Sequence, residues 1–302
     1  MRTQLNKIKS YFYSKKFYHK LKSFFLSKAS YVLRINYSLK KKRKSILQPL
    51  NNKDRGYIYT AFGENFYKEC VNSAKILKRS TNLPIHLITD QKKILEEDKS
   101  LFSSISHMPN LHVRSKVDYI SLSPFEKTIY LDTDIIVVRG IDELFELLDN
   151  FDILATLDTA RKRENISKQI EEYRKIPYSF GEVNSGLLCF NKYAKGKILK
   201  NWPKLFYKYI MESGGWDQPS LRILLWKFKA SLYILPPEFN IRSKKLLEKV
   251  KENKSIFGEN HMSPRIYHMH LYDEIYKNKI QKTLDIEEII RQAEEKAYEI
   301  NY

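Results

Sequence analysis

The chain has 302 residues, of which 42% are hydrophobic, and its 54 Lys and Arg against 35 Asp and Glu give a net charge of +19. This length and apolar content suffice for one large core or two smaller ones, which excludes a wholly disordered protein. The two cysteines, Cys70 and Cys189, lie in apolar segments and are expected to be buried thiols, which excludes a disulfide scaffold and a cysteine-based zinc site. We therefore expect a reducing, cytoplasmic compartment.

The first 50 residues form a basic extension, called the basic arm below. It contains 14 Lys and Arg and no Asp or Glu, whereas the other 252 residues contain 40 Lys and Arg against 35 acids. The longest apolar run in the arm is Phe24-Phe25-Leu26, whereas a signal peptide needs roughly 7 to 15 apolar residues and a membrane-spanning helix about 20. We expect a soluble or peripherally attached protein.

Three interpretations of the basic arm are open. Phe17, Leu21 and Phe24 follow the spacing of one helix face and lie among lysines, a pattern typical of helices on an anionic membrane surface. A solvated extension without a partner has the same composition, since charge runs are usually solvated. Nucleic-acid binding also uses basic and aromatic residues, but no recognised module surrounds them. We favour peripheral attachment at the inner face of a membrane and expect no nucleic-acid partner.

From residue 56 the sequence alternates between strand and helix patterns. It predicts a strand over 56–62, a helix over 65–78 and a strand over 83–90, which together form a β-α-β unit with parallel strands. Further along it predicts a polar helix over 91–104, a strand over 111–117 and a loop or short helix over 118–124. This order predicts an α/β fold.

The strongest predicted strand, residues 127–138, is interrupted by Asp132 and Asp134. Side chains two apart on an extended backbone point to the same face, so both carboxylates can converge on one cation. Buried carboxylates at that separation repel unless they are neutralised, and a hard divalent ion such as Mg²⁺ or Mn²⁺ would neutralise them. Asp-x-Asp also occurs by chance in surface loops, but the apolar flanks here favour the metal site.

Residues 123–134 resemble the Asp-x-Asp segment of GT-A fold glycosyltransferases, particularly the family 8-like glycogenin and lipopolysaccharide galactosyltransferase group. The resemblance covers roughly residues 55–275. It implies a Rossmann-like, mixed, mostly parallel sheet flanked by helices, with the basic arm as an N-terminal extension. Within a glycosyltransferase domain over 51–302, it implies a nucleotide-binding half at about 55–140 and an acceptor half at about 141–282. The apolar spacing over residues 283–302 predicts a C-terminal amphipathic helix.

The same resemblance implies which residues bind the nucleotide sugar. The end of the first strand and the basic residue before the metal motif contact the nucleotide in that family. These positions match Thr60, Ala61, Phe62 and Lys116, with Arg114 as the second choice for the basic residue. Asp132, Thr133 and Asp134 form the metal motif itself.

Three later segments also resemble the family. Asn184, Ser185 and Gly186 match an Asn-x-Gly segment that contacts the sugar, although Asn-Ser-Gly equally predicts a tight turn between two strands. Asp217 and Gln218 match an Asp-Gln segment that opens a helix beneath the sugar, although Asp217 could simply cap that helix. We assign catalytic roles to Asn184, Asp217 and Gln218.

The metal site of the family is completed by a late histidine. His268 and His270 both match it, and their spacing places both on one face of an extended segment, so the choice stays open. The Lys-Pro-Trp that usually follows is missing. We interpret Lys277 as a substitute for its lysine, with membership of a more distant branch as the alternative. We interpret Asn240 and Arg242 as loop residues, with the lining of the acceptor cleft as the alternative.

The predicted function is transfer of a sugar from a nucleotide-diphosphate donor, UDP by resemblance, to a glycan or lipid-linked acceptor in surface-glycan or lipopolysaccharide synthesis. The expected cofactor is Mn²⁺ or Mg²⁺. The family resembled retains the anomeric configuration, whereas inversion would require a carboxylate base such as Asp217 or Glu182. Two alternatives remain: a phosphohydrolase of the haloacid dehalogenase type, which also uses Asp-x-Asp, and a nucleic-acid-binding protein built on the basic arm.

Overall fold

The computed structural model describes residues 54–159, 162–163, 169–257, 263–269 and 286–299. These residues belong to one compact unit that spans 50–302. The basic arm, His270 and Lys277 lie outside the described residues, so the predictions made for them stay predictions.

A seven-stranded sheet forms the centre of the described fold. Its strands follow the order β3-β2-β1-β4-β7-β6-β8, and β7 runs antiparallel to both of its neighbours while the other pairs are parallel. The strand bounds are β1 (Arg55–Ala61), β2 (Ile85–Thr89), β3 (Ser104–His107), β4 (Lys127–Leu131), β6 (Ile153–Leu157), β7 (Val183–Phe190) and β8 (Leu232–Ile234). The predicted mixed, mostly parallel α/β sheet is confirmed.

Helices flank this sheet. Their bounds are α1 (Glu64–Leu77), α2 (Glu96–Lys99), α3 (Lys116–Tyr119), α4 (Leu144–Leu147), α5 (Glu171–Arg174), α6 (Trp202–Tyr209), α7 (Gln218–Lys227), α8 (Lys244–Phe257) and α9 (Ile286–Glu299). Short 3₁₀ turns lie at Ile120–Leu122, Leu199–Asn201 and Pro237–Phe239, and a π-helical turn at Ala194–Ile198. In the described part of the chain, no helix combines the length and apolar character needed to cross a membrane.

The hydrophobic pattern explains how α1 packs on the sheet. Cys70, Ala74 and Leu77 recur at helical spacing and are fully buried against Tyr59 and the neighbouring strand residues. Helix α9 likewise buries one face through Ile289, Ala293 and Ala297. The helices predicted over 65–78 and at the C-terminus are confirmed, and Cys70 and Cys189 are buried free thiols as expected.

The strand predicted over 127–138 is wrong as a single element. The chain turns after β4, with the Ile135 amide donating to the Asp132 carbonyl at 3.2 Å, and residues Ile135–Val137 form β5 of a separate two-stranded sheet. Its partner is β9 (Ile266–His268), which runs antiparallel with Ile135 opposite His268. The two aspartates therefore lie in a turn between two sheets, not on one extended strand, and this turn brings them beside His268.

Three other local predictions are wrong. Residues 91–104 form only α2 and the first residue of β3, and the strand predicted over 111–117 is a turn that leads into α3. The Ser115 hydroxyl accepts hydrogen bonds from the amides of Leu111 and His112, both at 3.0 Å, which holds that turn. The tight turn predicted at Asn184-Ser185-Gly186 is instead the buried start of β7.

Candidate active site

A cleft of about 850 Å³ opens at the carboxyl ends of the sheet strands. Parallel strands place their following residues along one edge, which is where α/β sheets bind ligands. Predicted site residues from every segment of the resemblance line it, namely Thr60, Phe62, Lys116, Asp132, Thr133, Asp134, Asn184, Ser185, Gly186, Gln218 and His268. Ala61 and Asp217 are fully buried next to the cleft wall and do not line it.

Asp132, Asp134 and His268 form a three-residue cluster in this cleft. Each offers one ligand atom, and these atoms lie within 4.8 Å of one another. His268 Nδ1 is 2.8 Å from the Asn240 amide oxygen, which accepts the Nδ1 proton and leaves the Nε2 lone pair for a ligand. Nε2 faces Asp134 Oδ1 at 3.5 Å. Two carboxylate oxygens and one imidazole nitrogen fit Mn²⁺ or Mg²⁺.

Gly186 leaves the space that His268 occupies. A Cβ atom at position 186 would lie 2.2 Å from His268 Cε1 and 2.9 Å from its Nε2. Moving the ring away would disturb its hydrogen bond to Asn240, and moving the strand would disturb the 2.8 Å hydrogen bond from the Asp132 amide to the Gly186 carbonyl. The glycine of the Asn-x-Gly segment therefore serves the histidine and the metal motif together.

Asp132 is paired with the Lys116 ammonium group. Lys116 Nζ lies 2.8 and 3.0 Å from the two Asp132 carboxylate oxygens and 3.6 Å from Asp217 Oδ2. Tyr130 donates a further short hydrogen bond to Asp132 from its hydroxyl. Because Lys116 is only 7% exposed, its charge acts at low dielectric on both carboxylates.

Asp217 is the carboxylate beneath the Asn-x-Gly segment. Its Oδ2 accepts a hydrogen bond from the Ser185 hydroxyl at 2.6 Å. Burial raises the pKa of Asp217, but Lys116 and Arg114, together with the Ser185 hydrogen bond, lower that pKa further, to about 2. The side chain makes no capping hydrogen bond to α7. Asp217 is therefore an ionised anchor for Lys116, and the alternative interpretation as a helix cap is wrong.

Asp158, which directly follows β6, joins the other two predicted catalytic residues. Its Oδ2 accepts hydrogen bonds from Gln218 Nε2 at 3.2 Å and Asn184 Nδ2 at 3.4 Å, and its Oδ1 lies 3.3 Å from Arg163 Nη2. Asp158 was not among the predicted site residues, although an acidic residue immediately after a buried strand was a usable signal. Arg242 Nη1 lies 3.8 Å from the same carboxylate.

Glu182 lies behind this group. The carboxylate is fully buried and accepts hydrogen bonds from the Tyr173 hydroxyl and, at 3.1 Å, from Arg163 Nε. Burial raises the pKa of Glu182 while those two hydrogen bonds oppose the rise. With its oxygens engaged inside the protein, Glu182 holds Arg163 in place and does not line the cleft.

The turn that carries Arg114 and leads into Lys116 at the start of α3, called the basic loop below, is fastened to α6 by a polar cluster. His112 Nε2 is 2.9 Å from both Asp118 Oδ2 and the Tyr207 hydroxyl, and that hydroxyl is 3.0 Å from each Asp118 oxygen. The Arg114 amide donates to His112 Nδ1 at 3.0 Å. The side chains of all three cluster residues fix the basic loop against the cleft.

Comparison with known proteins identifies the family. The chain matches the family described as "Glycosyl transferase family 8" over residues 24–270. The chain belongs to this family. Membership of a family 8 glycosyltransferase group, predicted from the Asp-x-Asp segment, is therefore confirmed.

Curated relatives include glucoside xylosyltransferase 1 of two animals. The Gallus gallus protein is 28% identical over 138 residues, which cover 40% of this chain and 31% of that protein. The Rattus norvegicus protein is 27% identical over 194 residues, which cover 58% of this chain and 42% of that protein. The matched region thus spans less than half the length of these relatives.

A solved structure of a glycosyltransferase shares the fold. The apo structure of the bifunctional glycosyltransferase WbbM superposes with a TM-score of 0.50 at 14% identity, covering 81% of this chain and 53% of that chain. Mouse xyloside xylosyltransferase 1, also in its apo form, gives a TM-score of 0.49 at 16% identity, covering 72% of this chain and 98% of that chain. The likeness to WbbM supports the fold of this family 8 chain, and the predicted GT-A-type architecture is confirmed.

Two remaining predicted positions of the family 8 chain, Thr60 and Thr133, also line the cleft. The Thr60 hydroxyl is 3.1 Å from the Tyr130 hydroxyl, which in turn binds Asp132. Thr133 donates a hydrogen bond at 2.7 Å to Glu69 of α1. These contacts tie the end of β1 and helix α1 to the Asp-x-Asp turn.

Proposed function

We propose that this family 8 protein transfers a sugar from a UDP-sugar to a glycan or lipid-linked acceptor, in surface-glycan or lipopolysaccharide synthesis, with Mn²⁺ or Mg²⁺ as cofactor. The observation that carries the proposal is the cluster of Asp132, Asp134 and His268 within 4.8 Å in a cleft of about 850 Å³. Family membership favours this function over the phosphohydrolase and nucleic-acid alternatives. The relatives named as xylosyltransferases support sugar transfer.

The three clustered residues would hold the cation, with Asn240 orienting His268 through Nδ1. A divalent ion bound there would neutralise charge that develops on the departing diphosphate. Lys116 supplies a second positive charge next to Asp132. Because ionised Asp217 also faces Lys116 at 3.6 Å, the ammonium group is held in place before a donor arrives, which lowers the cost of ordering it.

Gln218 and Asn184 are placed to orient the donor sugar. Both amide nitrogens donate to Asp158, which fixes their side chains. Gln218 Oε1 is buried and accepts no hydrogen bond from any described residue, so it can accept one from a sugar hydroxyl. Such an unpartnered buried oxygen costs free energy until a ligand donates to it. Glu182 and Asp217, the two carboxylates considered as a base for inversion, are fully buried and do not line the cleft.

A turnover assay tests the proposal. Release of UDP from UDP-glucose, UDP-galactose and UDP-xylose is measured with Mn²⁺ and again after EDTA. We expect at least one donor to be consumed only when the metal is present, and Asp134→Ala to abolish that activity. Asp149→Ala, which removes an exposed carboxylate outside the cleft, is the matched control and should retain it. Equal turnover with and without metal would contradict the proposal.

We also propose that the basic arm attaches the enzyme to an anionic membrane surface. The support is its 14 Lys and Arg with no acidic residue and its interspersed aromatic side chains. Sedimentation with vesicles should increase with the fraction of anionic lipid and fall when Lys40–Lys44 are neutralised. Binding that is indifferent to lipid charge would refute the attachment.

A further inference from the structure

Three arginines, Arg114, Arg163 and Arg242, line one part of the cleft and are called the arginine cluster here. Trp216 connects two of them: the Arg163 guanidinium carbon lies 4.2 Å, and that of Arg114 5.1 Å, from the indole ring centroid. Asp158 connects two as well, since Arg163 and Arg242 approach its carboxylate at 3.3 and 3.8 Å. The cluster is thus organised by the protein before any ligand binds.

Buried acids balance the charge of the arginine cluster. Asp158, Glu182 and Asp217 are 2%, 0% and 0% exposed and lie behind the three guanidinium groups. Their closest approaches to the arginines range from 3.1 Å, at Glu182, to 3.8 Å. Like-charge repulsion between the arginines is therefore compensated, and the cluster needs no ligand to be stable.

The hydrogen-bonding capacity of the arginine cluster is mostly unused. A guanidinium group has five N–H donors, and Arg163 uses two of its nitrogens on Glu182 and Asp158. The Arg114 and Arg242 guanidinium groups contact their acids only at 3.8 Å, beyond hydrogen-bond distance, and neither donates a hydrogen bond to a described residue. Both side chains are about a third exposed to the cleft, at 32% and 28%.

Two members of the arginine cluster adjoin the residues proposed to orient the sugar, whereas Arg114 shares Asp217 with Lys116, at 3.8 and 3.6 Å. Asp132, Asp134 and Lys116 mark the metal end of the cleft. Arg163 and Arg242 instead adjoin Asp158, which fixes the two amides proposed to orient the sugar. A planar guanidinium group pairs best with a carboxylate or phosphate, through two parallel hydrogen bonds.

We infer that the arginine cluster binds a carboxylate or phosphate group carried by one of the two sugars, so that this enzyme acts on an acidic saccharide. The inference rests on the proposed function and narrows its substrate class. The acidic group belongs either to the transferred sugar, as in a uronic acid donor, or to the acceptor. Arg242 and Arg114 donate hydrogen bonds to the anion while Trp216 holds Arg114 and Arg163 at the cleft wall.

Two arms of one thermal-shift and turnover experiment test this inference on the full chain with Mn²⁺. The donor arm compares UDP-glucuronic acid with UDP-glucose. The acceptor arm adds glucuronate, glucose 6-phosphate or glucose to the protein saturated with UDP. We expect a preference of about tenfold or more for the charged compound in one arm, which names the source of the charge.

Arg242→Gln should remove that preference, and Arg139→Gln, which changes an exposed arginine outside the cleft, should retain it. The unfolding temperature of each variant without ligands checks that it is folded. Equal binding of charged and neutral compounds in both arms, or a preference that survives Arg242→Gln, would overturn the inference. Failure of UDP with Mn²⁺ to shift the wild-type unfolding temperature would instead overturn the proposed function, and with it the assignment of the anion to a substrate.

Discussion

Replacing Gly186 by alanine should damage the metal site through a single methyl group. The added Cβ would lie 2.2 Å from His268 Cε1, whereas carbon atoms in contact are about 3.5 Å apart or more, so the ring must move by roughly 1.3 Å. Metal–ligand distances tolerate deviations of only about 0.2 Å. The required shift is several times this tolerance, and Nδ1 would lose its 2.8 Å contact with Asn240.

The magnitude follows from these two effects. Overpacking a buried position costs about 1–3 kcal/mol of folding stability. Disturbing the groups that orient a ligand lowers metal affinity by about 10- to 100-fold, and displacing the ligand itself should reach the upper end of that range. Gly186→Ala should therefore bind Mn²⁺ about 100-fold more weakly while remaining folded at 25 °C.

Isothermal titration with Mn²⁺ in the presence of UDP measures this effect. Gly196→Ala is the matched control, because a Cβ there would meet nothing within 4 Å, and its Mn²⁺ affinity should equal that of the wild type. Urea unfolding of both variants separates lost folding from lost binding. A folded Gly186→Ala protein with wild-type Mn²⁺ affinity would refute the role of His268 as a ligand held against this strand.

Three further predictions concern charge, pH and the loop cluster. Lys116→Met should lower the free energy of unfolding by about 3 kcal/mol, because it leaves buried Asp217 without its nearest cation. Lys192→Met, at an exposed pair with Glu126, is the control and should leave the free energy of unfolding nearly unchanged in the same urea titration. Burial lowers the pKa of His86 to about 4. The neutral imidazole therefore contributes its full stability above about pH 6.5, and protonation lowers the free energy of unfolding by about 3 kcal/mol as the pH decreases to 4. The free energy of unfolding of His86→Gln should vary less over that range, and an equal pH dependence in the variant and the wild type would contradict this. Tyr207→Phe removes the hydroxyl between His112 and Asp118 and so loosens the basic loop. The KM for the UDP-sugar should rise several-fold with little change in kcat. An unchanged KM would show that the basic loop does not need this cluster.

Parts of the fold with a long, regular pattern were predictable from the sequence. The spacing of Cys70, Ala74 and Leu77 gave α1, and the apolar runs around Ile58 and Ile88 gave β1 and β2. The strand over 127–138 failed because its apolar flanks look continuous, whereas the acids between them turn the chain. Nothing in the local pattern states that Ile135 pairs with His268, more than a hundred residues away.

The residues of the candidate site that belong to sequence motifs were predicted. Residues whose role depends on contacts between distant parts of the chain were not. Asp132, Asp134 and His268 were all named, but the predicted route to their proximity, alternation along a strand, was wrong. Asp158 was not assigned, and Asn240 was interpreted only as a loop residue, because each acts by holding another side chain, Gln218 or His268, that comes close only in the folded chain. Arg114 and Arg242 were named as candidates, and Arg242 lines the cleft as its alternative interpretation held, but their grouping with Arg163 was not predicted because the three come from separate loops.

Direct Mn²⁺ binding in the presence of UDP tests the central claim that Asp132, Asp134 and His268 form a divalent-cation site. Electron paramagnetic resonance of Mn²⁺ titrated with the full chain should show one tightly bound ion per molecule, lost in Asp134→Asn and His268→Ala and kept in Asp149→Asn. Bound Mn²⁺ of unchanged stoichiometry and affinity in the first two variants would contradict the claim.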